Sequence, residues 1–337
     1  MSRVSVIMSV YKEPVEWLRQ SIDSILTQTF PDFEFIIVND CPEREDHVRI
    51  LNEYQQQESR IVIITNDKNI GLTQSLNKAL SLAKGEYIAR MDADDISMPE
   101  RFGKQVAYLD NHADICAVGT WIVNIDEKGK LLPGIVRYDA DPRWVKAQML
   151  QNSQLCHPSA MFRRMVKNHV AQYDETLRYA QDYALWVSLL PYGEIANIPE
   201  VLLQYRTSNK QITSNNKAEQ QACAAIVQKR AFELFGFSAT ESFSKMFFKM
   251  TIQHRMDLPS DEVKKEFKGF FKNAKLTKAN SLALEMIYST YFAYWQSHCK
   301  NSKKLFVRSM IASNSAFMLY LGCKLIVLLY QRKAKRK

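Results

Sequence analysis

The chain has 337 residues, 46% of them hydrophobic, which is enough for one large core or two ordinary ones and excludes an intrinsically disordered chain. Its six cysteines, at 41, 116, 156, 223, 299 and 323, show neither paired metal-type spacing nor the density of a disulfide scaffold, so a reducing compartment is expected. The formal net charge of +9 is unevenly spread: residues 1–204 hold 21 Lys+Arg against 28 Asp+Glu, and residues 205–337 hold 24 against 8, so an acidic front suited to a divalent cation precedes a basic back suited to nucleic acid or anionic lipid.

At the start, "MSRVSVIMSVYKEP" has a short apolar core but no small-residue cleavage site, and it reads as a first strand rather than a signal peptide. "VSVIMSVY" (4–11), "FEFIIV" (33–38), "RIVIIT" (60–65), "EYIARM" (86–91) and "ICAVGTWIV" (115–123) are predicted strands. Helical spacing appears between them, with Trp17, Leu18, Ile22, Ile25 and Leu26 after Pro14, and Leu72, Leu76, Leu80 and Ala83 after Gly71. Pro99 is expected in the first turn of a third helix, with Ser97 and Glu100 spaced as a capping box. Such alternation predicts an α/β fold with a largely parallel sheet.

Ligands of such sheets bind outside the carboxyl ends of the strands. Tyr11, Asn39, Asp40 and the run Asp92, Asp94, Asp95 all fall at predicted strand ends, so they are expected to share one edge. No G-x-G-x-x-G follows the first strand and no G-x-x-x-x-G-K-[ST] occurs anywhere, which counts against dinucleotide enzymes and P-loop NTPases. Carboxylates crowded at a strand end repel unless a cation lies among them, and hard oxygen donors favour Mg²⁺ or Mn²⁺ completed by substrate phosphates. The alternative is that the acids only cap the following helix.

Beyond about residue 205 the strand pattern fades and helical segments dominate, for example 218–234 and 280–298. The apolar run 316–330 is shorter than the ~20 residues a membrane span requires and is interrupted by Lys324. With five basic residues in the last six, segment 312–337 is predicted to lie on an anionic membrane surface, each cation adding about 1 kcal/mol. Packing of that helix on the body is the competing reading.

Three stretches, "VSVIMSVYKEPVEWLRQSIDSILTQTFPDFEFIIVND", "NIGLTQSLNKALSLAKGEYIARMDADDISMPERF" and "QDYALWVSLLPYG", together resemble the family 2 glycosyltransferases of the GT-A fold, in particular the non-processive bacterial enzymes that build lipopolysaccharide, O-antigen or capsule glycans. The resemblance spans about residues 2–206 and implies a GT-A catalytic domain over 1–206, a Rossmann-like mixed sheet, followed by a basic helical region over 207–337. It implies a UDP-sugar donor, with Ser9, Val10 and Tyr11 around base and ribose, Asp40 on the uracil, Asp92 and Ala93 near ribose and sugar, and Asp94 as the ligand of a Mn²⁺ or Mg²⁺ ion. Asp182 matches the catalytic base, a role compatible with capping its own helix. Asp95, His157 and Arg206 are candidates for the diphosphate or the acceptor, a glycan or lipid-linked oligosaccharide. His157 also reads as a structural hydrogen-bonder, Trp186 as core or sugar platform, and Arg163 and Arg164 as anion contacts or a solvated strand end.

On this resemblance the chain is an inverting, metal-dependent transferase working at the inner face of the cytoplasmic membrane, without a nucleic-acid partner. Nucleotidyl transfer on the same acids, or nucleic-acid binding by the basic half, are the rival readings. Departures exist: "NDCPE" stands where D-G-S is usual, Gln181 replaces an acid before the base, the "QYRTSNKQITS" segment lacks its usual His, and no Q-x-x-R-W is present, which disfavours processive synthesis. Without an acid at 181, Asp182 is expected to be less raised than a like-charge pair would make it.

Overall fold

The computed structural model describes residues 2–208, 217–251, 260–274, 282–287 and 290. Seven consecutive buried residues form β1 (Val4–Val10), the unbroken apolar run expected of a strand covered on both faces. It pairs in parallel with β2 (Phe33–Asn39) and β4 (Tyr87–Arg90), and β2 pairs in parallel with β3 (Ile61–Thr65). The register sets Val10 beside Asn39 and Ile7 beside Arg90, so the carboxyl ends of all three strands open onto one edge.

Beyond β4 the sheet turns mixed. The antiparallel β8 (Met161–Arg163) joins β4 to β6 (Ile115–Ile125), which runs parallel to the long β11 (Glu194–Arg206). The order is β3-β2-β1-β4-β8-β6-β11-β5, where β5 (Ile96–Ser97) pairs with β11, and β7 (Leu131–Val136) pairs with β6 off this path. The strands β9 (Met165–Val166) and β10 (His169–Val170) form a separate hairpin. Among the helices, α1 (Val15–Leu26) contacts β5, α2 (Glu45–Gln57) lies on β3, and α3 (Leu72–Leu82) lies on β1 and β2. In the other half, α4 (Arg101–Asn111) covers β6, α5 (Pro142–Gln148) covers β11, and α6 (Gln181–Leu189) precedes β11.

The capping box expected ahead of α4 does not form: the helix begins at Arg101 after Glu100, with no side-chain cap. Ser97 instead belongs to β5, where its amide donates to Ser24 Oγ (3.0 Å) and its hydroxyl accepts from Gln28 Nε2 (3.1 Å). The tertiary hydrogen bonds of the strand take the side chain that local spacing assigned to the helix.

Contacts divide the chain into two compact units, Met1–Val227 and Gln228–Lys337, where the sequence reading set the break after residue 206. Helix α7 (Lys217–Leu234) is followed by α8 (Glu241–Thr251) and α9 (Ser260–Asn273). In the second unit Phe232, Phe243, Phe247 and Phe270 meet edge-on and stacked, with Phe243 and Phe270 rings 4.3 Å apart. Most of the helix expected over 280–298 and all of segment 312–337 lie outside the described residues. No helix among the described residues is long and apolar enough to cross a membrane.

Candidate active site

At the shared edge, β1 is followed by Tyr11, whose ring is exposed and carries Lys12 Nζ 4.8 Å above its centroid. Asp40 directly follows β2 and is fully buried. Oδ1 of Asp40 accepts from Asn66 Nδ2 (2.8 Å) and Ile70 N (2.8 Å), and Oδ2 from Asn69 Nδ2 (3.0 Å) and Gly71 N (2.9 Å). Gly71 adopts φ +88° as it enters α3, a conformation glycine takes without Cβ strain, and this turn aims its amide at the carboxylate. Four donors fill the four lone-pair sites of Asp40, which therefore organises the β2 and β3 loops around itself.

Three carboxylates follow β4. Asp92, Asp94 and Asp95 each present an oxygen, all within 4.8 Å of one another. Burial, then the charges of Asp92 and Glu13, push Asp94 up to about 7. Asp95 is fully buried, its Oδ1 accepting from Arg206 N (2.7 Å) while Oδ2 has no partner, and burial beside Asp94 pushes it well above the carboxylate range. Without a cation Asp94 and Asp95 hold their protons to higher pH than ordinary carboxylates, as like charges in a desolvated site must.

Arg90 lies directly behind them. It is 1% exposed, with Nη1 2.5 Å from Asp92 Oδ1 in an ion pair, and its Nε has no acceptor. Burial opposes its charge, yet Asp92, Tyr173 and Asp95 outweigh that and keep it protonated. The backbone carbonyl of Arg90 accepts from Arg101 Nη2 (2.7 Å), a second buried arginine, whose Nη1 reaches Pro158 O (2.9 Å) and which burial lowers to about 9.

Asp182 stands in the first turn of α6, behind Ala180 in the left-handed conformation (φ 56°, ψ 24°). Burial raises Asp182, while the amides of the helix start, Ser153 and Arg90 draw it back down. Its charge reaches Tyr138, Tyr173 and Tyr183. His157 Nε2 lies 2.8 Å from Tyr173 Oη, and both His157 and Phe162 meet Trp186 edge-on, at 6.2 and 5.8 Å. Burial, then the charge of Arg90, holds His157 well below the usual imidazole range and so neutral.

A profile of the Glycosyl transferase family 2 matches residues 5–170. An uncharacterised glycosyltransferase of Methanocaldococcus jannaschii is 39% identical over 208 residues, 61% of this chain and 71% of that one. The chain belongs to glycosyl transferase family 2. Other relatives of this glycosyltransferase serve surface polymers: the O-antigen biosynthesis enzyme WbnJ of Escherichia coli is 35% identical over 62% of this chain and 82% of its own, and the amylovoran enzyme AmsE of Erwinia amylovora is 30% identical over 62% and 77%. Its fold is GT-A: the Staphylococcus aureus TarS fragment 1-349 solved with UDP-GlcNAc superposes with TM-score 0.57 at 14% identity, covering 88% of this chain and 90% of that one.

Several sequence expectations meet a different geometry in this transferase. Arg206 is 1% exposed and acts as a clamp, giving Nε to Asp94 O (2.7 Å), Nη1 to Asp126 O (3.1 Å) and Nη2 to Gln20 Oε1 (2.6 Å), with its guanidinium 5.0 Å over the Trp17 ring. Asp95 is likewise turned inward. Val10 and Ala93 are core side chains, and Val10 offers only its carbonyl, to Asp40 N (2.8 Å). Ser9 is nearly buried, so Tyr11 alone of that segment presents a side chain. For Asp40 to meet a base, one of its four bonds must be exchanged.

Asp182 does not cap α6, because that position is Ala180. Arg163 and Arg164 belong to the opposite edge of the sheet, bonded to Ile115 O (3.0 Å) and Gly85 O (2.9 Å), and Trp186 is core. Sequence reasoning missed Glu13, whose Oε2 accepts from Tyr11 N (2.7 Å) and whose charge reaches Asp92 and Asp94. Its place directly after the first strand end was the available signal. Arg90 and Arg101, buried next to the acids, were also missed.

Proposed function

We propose that this glycosyltransferase moves a hexose or N-acetylhexosamine from a UDP-sugar to a hydroxyl of a growing bacterial surface glycan, in one inverting, metal-dependent displacement. The observation that carries this reading is a three-carboxylate cluster at the strand edge together with a separate buried carboxylate, Asp182, both under the charge of buried Arg90. The metal fits the residues present: all donors are hard oxygens, and Asp95 Oδ2 is a buried acceptor without a partner. Asp94 and Asp92 would hold it, and a bound Mn²⁺ or Mg²⁺ would supply charge stabilisation to the departing diphosphate. The Pyrobaculum calidifontis mannosyltransferase solved with GDP-Man and Mn²⁺ superposes with TM-score 0.50 at 14% identity, over 98% of this chain and 88% of that one.

The chain's own groups carry the remaining work. Tyr11 offers an exposed ring for stacking on a base. Asp182 accepts the proton of the incoming hydroxyl as it attacks the anomeric carbon, and at the same moment the bond to the diphosphate breaks. Attack from the side opposite the leaving group converts an α-linked donor into a β-linked product. Relatives in O-antigen and amylovoran synthesis favour a glycan acceptor over nucleotidyl transfer. Segment 312–337 would bring the enzyme to the inner face of the cytoplasmic membrane.

A thermal-shift panel of UDP-Gal, UDP-GalNAc, UDP-Glc and UDP-GlcNAc, with and without Mn²⁺, is the direct test, followed by NMR of the product. One sugar nucleotide is expected to raise the transition only with metal present. Absence of any shift refutes the donor class, and an α-linked product refutes inversion.

A further inference from the structure

Strand β7 is exposed along its whole length, although its sequence is LLPGIV. Among the described residues ten large apolar side chains are exposed, and four of them, Leu131, Leu132, Ile135 and Val136, stand in these six positions. Leu131 is the most exposed of the ten, at 59%. A concentration of this kind is unusual on a free protein surface and marks a contact with something apolar.

The backbone argues against a pairing partner. Within β7 stand Pro133, which has no N–H to give, and Gly134 at φ +97°, which breaks the extended run; both are devices that blunt a sheet edge. A second copy adding antiparallel to this edge would set Lys130 at one end against Arg137 at the other, like charges in facing positions. The edge is closed to a strand, yet its side chains remain uncovered.

Charge defines the remaining partner. Lys128, Lys130 and Arg137 are exposed around the apolar group, against a single exposed acid, Glu127. Asp126 is ionised but spends its Oδ1 on the amides of Lys128 and Lys130, both at 2.9 Å. Apolar tips ringed by cations match an anionic lipid surface, where acyl chains take the former and headgroup phosphates the latter. We infer that the β6–β7 hairpin, residues 126–137, docks the enzyme on an anionic bilayer, through Leu131, Leu132, Ile135 and Val136 with Lys128, Lys130 and Arg137.

The hairpin is rigidly tied to the site. Trp17 Nε1 donates to Glu127 O (3.0 Å), and Arg206 Nη1 donates to Asp126 O while its Nε holds Asp94 O. Docking therefore fixes the orientation of the acid cluster to the membrane plane, which suits an acceptor carried on lipid; that last step rests on the function proposed above, whereas the docking itself does not.

The experiment is sedimentation of the full chain with vesicles of phosphatidylcholine plus phosphatidylglycerol and with vesicles of phosphatidylcholine alone. Wild type is expected to partition onto the anionic vesicles, and the double substitution Leu131→Glu with Ile135→Glu to weaken that partition by roughly tenfold or more. Lys128→Glu with Lys130→Glu should weaken it through charge alone and leave the apolar surface intact. Unchanged thermal transitions establish that both variants are folded. Partition unaffected by both pairs overturns the inference, as does a wild-type dimer in ultracentrifugation that the apolar pair dissociates while vesicle binding persists. UDP release in the absence of vesicles reads the proposed function separately, and the hairpin variants are expected to retain it.

Discussion

The acid cluster makes the stability of the metal-free protein fall with rising pH. Asp94 is raised from 3.8 to about 7, with burial as the main cause and Asp92 and Glu13 behind it. Between these values the folded chain binds a proton that the unfolded chain has released, so stability is fully present below 3.8 and is lost as pH climbs toward 7. Three pH units at about 1.4 kcal/mol each set a ceiling near 4 kcal/mol, and partial exposure of Asp94 reduces the expected loss to about 2 kcal/mol. A divalent cation binds the deprotonated form, so Mn²⁺ should cancel this loss and its apparent affinity should grow with pH up to about 7. Urea unfolding at acidic and neutral pH, in EDTA or in Mn²⁺, compared with Asp94→Asn, isolates the group. A wild type that loses no more stability than Asp94→Asn over this window in EDTA refutes the electrostatic account of the site.

Asp182→Asn should leave the donor-induced thermal shift intact and lower kcat by about 10²- to 10⁴-fold; full turnover would exclude the base role. Because burial raises Asp182, wild-type kcat/KM should fall as pH drops through that raised value, a profile read from initial rates. Arg206→Lys keeps the charge but abandons the fork to Asp94 O, Asp126 O and Gln20, and should cost about 2–4 kcal/mol in urea unfolding; a neutral result would remove the clamp. Arg90→Lys should fold and raise donor KM several-fold through a misplaced Asp92, whereas Arg90→Met, which removes the buried cation beside half-buried Asp92, should lose about 1–3 kcal/mol on denaturation.

Much of this architecture is legible in the chain. Strands such as β1 are largely runs of Val, Ile and Met, and the D-x-D-D run directly after β4 marks the candidate edge because sheet topology brings strand ends together. The longest strand, β11, is hidden because Pro199 and Glu200 interrupt its pattern; the structure absorbs them in register shifts against β6 between Ile198 and Leu203. Ser97 shows a second kind of failure, in which a valid local signal yields to partners some seventy residues away, Ser24 and Gln28.

The arginines show the deepest limit. Asp92, Asp94 and Asp95 announce themselves by crowding, but the groups that make the crowding tolerable are Arg90, Arg101 and Arg206, which the sequence marks only as charges. Arg206 looks ligand-facing until Asp94 O, Asp126 O and Gln20 are seen to need its donors. Arg101 is bound to the carbonyls of Arg90 and Pro158, neither of which has a side-chain signature. Backbone carbonyls left over at loop turns are set by tertiary geometry, so the cations that answer them cannot be told from solvated ones by residue type or spacing. The acids of this site are therefore readable one strand at a time, while the framework that holds them is a property of four chain segments meeting at once.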